Sequence, residues 1–189
     1  MKVIDANYDT IEEYSDLFIN KFSDDLNGGK VLVIGVASGG LPIAKILFNK
    51  LNNVNKAYSE IKCQRPSTKN KKQGVLGFFF DISIKLSPRF LLNFLREIEH
   101  KFLSKNRVVE REVVELTPIN LHDLKSIIII DDAVDSGYSL KSVTDYIKSI
   151  TSANVITTVY VTTQLEPVFS ADFSYKNNVL VRFPWSKDA

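Results

Sequence analysis

Apolar side chains recur at helical spacing in four stretches of the chain. Between residues 11 and 26 they return every three or four positions, which predicts an amphipathic helix. The following Asn27-Gly28-Gly29 is typical of a helix end. Further helices are predicted at about 41–51, 88–104 and 138–150.

Short apolar runs separate these helices and predict strands. Segments 30–36 and 126–130 are almost continuously aliphatic, which suits strands buried on both faces of a parallel sheet. Further strands are predicted at 56–62, 107–116, 155–161, 172–175 and 179–183. Because strands and helices alternate over most of the chain, we predict an α/β fold with a parallel sheet flanked by helices.

The composition fits one soluble domain and excludes several function classes. The 189 residues carry a formal net charge of +2, so nothing global requires a nucleic-acid partner or an anionic membrane. The single cysteine, Cys63, excludes an internal disulfide and a cysteine-built zinc site. No apolar run approaches the roughly 20 residues of a membrane span, and the N-terminus lacks the apolar run of a signal peptide. We therefore expect a cytoplasmic protein without a membrane partner.

The strongest chemical signal lies where the isoleucine strand ends, in the sequence IIIIDDAVDSGYSL. Ligands of open parallel sheets bind beyond the carboxyl ends of the strands. Asp131 and Asp132 could engage neighbouring hydroxyls, or one could face a ligand while the other braces the loop. The small residues after them open a helix, whose free N–H groups suit a phosphate. Together these features match the two ends of a ribose 5-phosphate, and the alternative is a turn whose acids only cap the helix.

This stretch resembles the phosphoribosyl-pyrophosphate (PRPP) motif of type I phosphoribosyltransferases. The resemblance implies that Asp131 and Asp132 contact the ribose hydroxyls and hold Mg²⁺ through bound water. It implies that Asp135 stands where many purine-using members carry the proton acceptor for the base, which makes it a catalytic candidate. The implied 5-phosphate loop comprises Ala133, Val134, Asp135, Ser136, Gly137, Tyr138 and Ser139.

Two further segments are similar to parts of the same family. VASGGLPIA resembles its pyrophosphate-binding loop, although many oxopurine-using members carry a basic residue where Ser38 stands. The basic stretch 62–72 resembles the mobile segment that closes over pyrophosphate, and Arg65 is a catalytic candidate because its guanidinium can grip phosphate bidentately. A plain turn and a solvated surface loop are the alternatives for the two segments. The implied pyrophosphate-binding residues are Ala37, Ser38, Gly39, Gly40, Lys62, Arg65 and Lys69.

The C-terminal region is similar to xanthine–guanine-type members, which often end in Pro-Trp after a strand. Here Pro184-Trp185 follows the predicted strand 179–183, but Leu180 stands where those members carry the aromatic that stacks on the purine. Residues 162–164 also lack the lysine that reads the purine 6-oxo group. The acceptor base therefore stays open, and this C-terminal similarity favours a purine over a pyrimidine.

The predicted function is transfer of the 5-phosphoribosyl group of PRPP to a nucleobase, with Mg²⁺ as cofactor and release of pyrophosphate, as in purine salvage. The alternative is a relative that senses PRPP and regulates RNA or DNA without efficient turnover. The near-neutral charge and the lack of a DNA-binding motif argue against a nucleic-acid partner. The family implies a homodimer.

We expect one domain over residues 1–189, with a hood formed by about 165–189 and the N-terminus. Residues 75–104 match no part of compact family members and are taken as a helical insertion. Its predicted helix, 88–104, is apolar on one face and charged on the other. Such a helix could cap the active site, build a dimer interface or simply pack in the core.

Overall fold

The computed structural model describes residues 1–53, 55–64, 112–117 and 121–186. The strands are β1 (Lys2–Asp5), β2 (Lys30–Ala37), β3 (Lys56–Gln64), β4 (Glu112–Leu116), β5 (Leu124–Val134), β6 (Asn154–Thr162), β7 (Phe173–Asn177) and β8 (Val179–Arg182). The helices are α1 (Tyr8–Lys21), α2 (Ser23–Leu26), α3 (Gly40–Lys50) and α4 (Tyr138–Ile150). The predicted basic loop beyond Gln64 and the insertion at 75–104 lie outside the described residues.

A six-stranded sheet in the order β4-β3-β2-β5-β6-β7 forms the centre of the fold. Strands β3, β2, β5, β6 and β7 run parallel, as predicted. The edge strand β4 runs antiparallel to β3, which the pattern of residues 107–116 did not indicate. An antiparallel edge strand on a parallel sheet is common in α/β folds and leaves the predicted fold class correct.

Register brings the ends of the two middle strands to one edge of the sheet. Gly35 of β2 pairs with Ile130 of β5, so the turn after β2 lies beside the residues that follow Ile130. On the other side of β5, Val134 pairs with Thr162 at the end of β6. The carboxyl ends of β2, β5 and β6 therefore meet at one edge of the sheet.

Two apolar layers hold the helices against the sheet. Ile128 and Ile130 of β5 belong to a buried cluster with residues of α1 and α3, whereas Ile127 and Ile129 belong to one with residues of α4. This alternation follows from the two-residue period of a strand. Burial of each isoleucine side chain stabilises the fold by about 2–3 kcal/mol, so the four-isoleucine run anchors both layers.

The predicted helix over 11–26 is in fact two helices. Helix α1 begins earlier, because the Asn7 side chain accepts a hydrogen bond from the Thr10 N–H (2.8 Å) and the Thr10 hydroxyl accepts one from the Asn7 N–H (3.1 Å). It ends at Lys21, and the N–H of the following Phe22 still donates to the Phe18 carbonyl before the short α2 begins. Gly28, at φ 76°, then turns the chain into β2.

The N-terminus and the C-terminal strand form a second, two-stranded parallel sheet. β1 pairs with β8, and the buried Arg182 donates to Asp5 over 2.6 Å. An aromatic cluster lies between α1 and the C-terminal strands; its members are Tyr14, Phe18, Tyr160, Phe173, Tyr175, Phe183 and Trp185. In the described part of the chain, none of the helices combines the length and the apolar character that a membrane crossing requires. The hood assignment stays a prediction.

Candidate functional site

One cavity of about 220 Å³ opens where β2 and β5 end. Val36 to Gly39 line one side of it, and Asp131 to Gly137 line another. Cys63, Ser139 and Leu140 complete the lining. The cavity therefore brings together two segments that the sequence singled out separately, the glycine-rich turn after β2 and the acidic turn after the isoleucine run.

The two adjacent acids lie within β5, since this strand continues four residues past its predicted end at Ile130. The Asp131 carboxylate accepts a hydrogen bond from the Asp132 N–H over 2.9 Å. Asp132 lies directly against the turn after β2, because a Cβ atom on Gly39 would come within 2.1 Å of the Asp132 Oδ2 atom. Both side chains are half-buried and line the cavity.

Asp131 also influences helix α1. Complete burial, and to a smaller extent the charge of Asp131, raise the pKa of the Tyr14 hydroxyl above its ordinary value. The Tyr14 hydroxyl shares a hydrogen bond with the Thr158 hydroxyl, with 2.7 Å between the oxygens, and this bond acts in the opposite direction. Tyr14 of α1 thus lies near enough to Asp131 for its charge to act on this hydroxyl.

The predicted 5-phosphate loop is divided between a strand, a turn and a helix. Ala133 and Val134 still belong to β5, Asp135 and Ser136 form the turn, and Gly137 precedes α4. Gly137 has φ 85°, and a Cβ atom there would lie 2.3 Å from the Phe169 carbonyl oxygen, so only glycine fits without strain. Of the residues predicted for this loop, only Tyr138 is not among those that line the cavity.

The predicted pyrophosphate loop lies in the turn after β2 and at the start of α3. The Ala37–Ser38 peptide bond is cis, and Ala37, Ser38 and Gly39 line the cavity. Gly40 lies behind them as the first residue of α3, where a Cβ atom would come within 2.4 Å of the Ile130 carbonyl oxygen. Helix α3 therefore begins directly against β5, and the positive end of its dipole lies at this edge of the sheet.

Asp135 is held by the residues that follow β6. Its Oδ1 atom accepts hydrogen bonds from the Thr163 hydroxyl over 2.8 Å and from the Gln164 side-chain amide over 2.6 Å. The sequence alone did not predict this contact. It drew attention to these two positions only because residues 162–164 lack the lysine that reads the purine 6-oxo group in related enzymes. The observed register, in which Val134 pairs with Thr162, places them beside Asp135, and no pattern within either strand reveals that register.

The basic candidates are only partly described. Lys62 is exposed and pairs in register with Ala37, which places it on β3 beside the turn after β2, although it does not line the cavity. Arg65 and Lys69 lie outside the described residues. Cys63 is a buried thiol on the cavity wall, and its sulfur lies 3.9 Å from the Ser139 carbonyl oxygen.

The C-terminal candidates lie in the core. Leu180, which stands where xanthine–guanine-type members carry the aromatic that stacks on the purine, is only 6% exposed. Trp185 stacks on Phe183, with 5.0 Å between ring centroids and 13° between ring planes. Trp185 is half-buried and lies at the edge of the core.

The donor set around the cavity is suited to a hard cation. Among the residues described, no group of three or more His, Cys, Asp or Glu side chains could hold a metal ion. Asp131 and Asp132 together offer carboxylate oxygens only. Mg²⁺ commonly binds through one or two carboxylates, completed by water and substrate phosphates, and so the residues present fit that ion.

Residues 4–185 match the family model described as the phosphoribosyl transferase domain. The chain therefore belongs to this family, which confirms the predicted type I fold. It also confirms the predicted enzyme class, a pentosyltransferase of the phosphoribosyltransferase type. Comparison with curated proteins by sequence returns no match.

Solved structures share this fold at low sequence identity. The purine phosphoribosyltransferase of Pyrococcus horikoshii aligns with a TM-score of 0.63 and 15% identity, over 98% of this chain and 95% of its own. The xanthine-guanine-hypoxanthine phosphoribosyltransferase of Helicobacter pylori aligns with 0.62 and 14%, over 97% and 93%. A hypothetical protein from Neisseria gonorrhoeae with bound ppGpp aligns with 0.62 and 13%, over 98% and 89%.

Proposed function

We propose that this protein transfers the 5-phosphoribosyl group of PRPP to a nucleobase and releases pyrophosphate. The observation that carries the proposal is the meeting of three parts in one cavity: an acidic pair, a helix-opening turn and a glycine-rich turn. Each suits one part of PRPP, namely the ribose hydroxyls, the 5-phosphate and the pyrophosphate. The cavity is smaller than the roughly 300–1,000 Å³ of drug-sized sites, which suits a sugar phosphate with the base outside it.

In the proposed reaction a ring nitrogen of the base bonds to the anomeric carbon of the ribose. The bond from that carbon to the pyrophosphate oxygen breaks, and pyrophosphate leaves with the electron pair. The N–H proton of the base passes to Asp135, which lies on the cavity wall. The backbone of Ala37 to Gly40 and the dipole of α3 stabilise the charge that develops on the leaving group.

The remaining roles follow the family pattern and are part of the proposal. Asp131 and Asp132 bind the ribose hydroxyls and would hold Mg²⁺ through water, where the ion would offset charge on the pyrophosphate. Lys62, Arg65 and Lys69 contact pyrophosphate. The named purine enzymes among the structural neighbours support a purine acceptor. We also expect a homodimer, which sedimentation velocity would test.

The direct experiment measures pyrophosphate release from PRPP and Mg²⁺ with adenine, guanine, hypoxanthine, xanthine, uracil and orotate. We expect at least one purine to yield pyrophosphate and nucleotide in equal amounts. Binding of PRPP without release for any base would favour the alternative, a sensor of the ribosyl donor. An RNA or DNA binding assay would then be the next measurement.

A paired substitution tests the site itself. The double change Asp131→Asn and Asp132→Asn should abolish measurable PRPP binding in calorimetry, because it removes both carboxylates from the cavity. The control is Asp9→Asn, an exposed acid in the first turn of α1, which should bind PRPP as the unchanged protein does. Unaltered PRPP binding by the double variant would refute the site assignment.

A further inference from the structure

Two side chains that follow β6 hold the Asp135 carboxylate by its Oδ1 atom. The Thr163 hydroxyl and the Gln164 amide lie 2.8 and 2.6 Å from the Asp135 Oδ1 atom. Thr163, the first of these two donors, is only 6% exposed. Because β6 lies directly beside β5, this contact joins the turn after one strand to the end of its neighbour.

The geometry identifies which atom donates in each contact. The Thr163 hydroxyl also lies 3.3 Å from the Val134 carbonyl oxygen, but its one proton favours the shorter contact with the charged oxygen. The Thr163 N–H donates to the same carbonyl over 2.8 Å, which fixes the backbone that carries the hydroxyl. An ionised carboxylate only accepts, so the Gln164 atom facing it is the amide nitrogen.

We propose that Thr163 and Gln164 are positioning residues, which orient Asp135 for proton transfer from the acceptor base. They hold the carboxylate by its Oδ1 atom. Both donors also stabilise the ionised carboxylate that must accept this proton. The inference rests on the proposed function and adds the means by which its proton acceptor is aligned. A shift of about 1 Å in a reacting group can cost a hundredfold in rate.

The first experiment compares Thr163→Val with Thr163→Ser. Valine has the shape of threonine without the hydroxyl, whereas serine keeps it. With the best base, we expect Thr163→Val to lower kcat about tenfold while KM for PRPP changes less than about twofold. Thr163→Ser should restore kcat to within about twofold of the unchanged protein. Equal kcat values for the two variants would overturn the proposal.

The second experiment places Thr163→Val and Gln164→Leu in an Asp135→Asn background. If both residues act through Asp135, each should lower kcat about tenfold alone and less than about twofold in that background. A residue with a merely structural role would lower kcat by the same factor in both backgrounds, and that result would overturn the proposal.

The possible outcomes distinguish a failure of this inference from a failure of the proposed function. If the unchanged protein releases pyrophosphate and the variants have the same kcat, only the positioning role is overturned. An unchanged protein that binds PRPP but releases no pyrophosphate with any base overturns the proposed function and the inference together.

Discussion

The donor side and the base side of the proposed site are built in different ways. On the donor side, Gly39 lies against the Asp132 carboxylate and Gly137 lies against the Phe169 backbone, so closely that neither has room for a side chain. On the base side, the available groups are side chains from the end of β6 and from β8, where Leu180 is buried and Thr163 bonds to Asp135. The donor side is thus shaped by closely packed backbone, and the base side is shaped by side chains.

This difference explains why one side follows the family pattern and the other departs from it. A backbone cradle demands particular residues at fixed spacing within a short segment, because any Cβ atom at Gly39 or Gly137 disturbs it. Side chains that contact the base come from distant parts of the chain and can change one at a time. The donor is therefore recognisable from the motif, whereas the acceptor depends on tertiary placement.

The largest effect is expected from Gly137→Ala on the donor side. Alanine at φ 85° costs about 1–2 kcal/mol, and its Cβ would also meet the backbone oxygen of Phe169. With the overlap included, we expect the free energy of unfolding to fall by about 3 kcal/mol in urea titrations. Gly28→Ala is the matched control, since Gly28 has φ 76° with open space around it, and it should lose only about 1–2 kcal/mol. Equal losses would show that Phe169 does not constrain the turn.

Gly39→Ala should act on PRPP binding more than on stability. The added Cβ overlaps the Asp132 carboxylate, a side-chain end that can move away at little cost to the fold. Displacement of this carboxylate from the turn after β2 should weaken PRPP binding about a hundredfold in calorimetry. Gly28→Ala should leave the affinity unchanged. If Gly39→Ala binds PRPP normally, contact between Gly39 and Asp132 is irrelevant to PRPP binding.

The sequence predicts the fold around the ends of β2 and β5 well because its signals there are local. The isoleucine run, the acids and the small residues up to Ser139 form one continuous stretch, and helix α4 begins and ends where predicted. The early end predicted for β5 has a physical reason. Asp131 and Asp132 interrupt the apolar pattern, whereas the hydrogen-bonded ladder with β6 keeps the chain extended to Val134.

The errors concern features that depend on distant residues. The direction of β4 depends on its pairing with β3, which no periodicity within residues 107–116 reveals. The contact of Gln164 with Asp135 needs the order of the strands before it can be inferred. The break at Phe22 falls inside a continuous helical pattern, so apolar spacing alone does not locate it.

Leu180→Val tests the base side by a smaller change. Leu180 is 6% exposed, so loss of one methylene should lower the free energy of unfolding by about 1 kcal/mol in urea titrations. PRPP affinity should not change, because Leu180 does not line the cavity. A change in KM for the base, with PRPP affinity constant, would show that this position contacts the acceptor. A lower PRPP affinity would contradict the separation of the two sides.

The smallest effect is expected at Tyr14, a residue of α1 on whose hydroxyl the charge of Asp131 acts. It should be visible as a pH dependence of the free energy of unfolding. Burial raises the pKa of the Tyr14 hydroxyl above the value of about 10 expected in the unfolded chain. Between that value and the folded one, the unfolded state has lost a proton that the folded state keeps, so stability falls as pH rises. Burial also raises the pKa of Tyr175 to about 12, which adds to this fall.

Tyr14→Phe should lose about 1 kcal/mol of stability at pH 7, since the buried Thr158 hydroxyl loses its partner, but its stability should decline less above pH 10. Urea titrations at pH 7 and pH 10.5 measure both, and parallel declines for the two proteins would contradict the assignment to Tyr14.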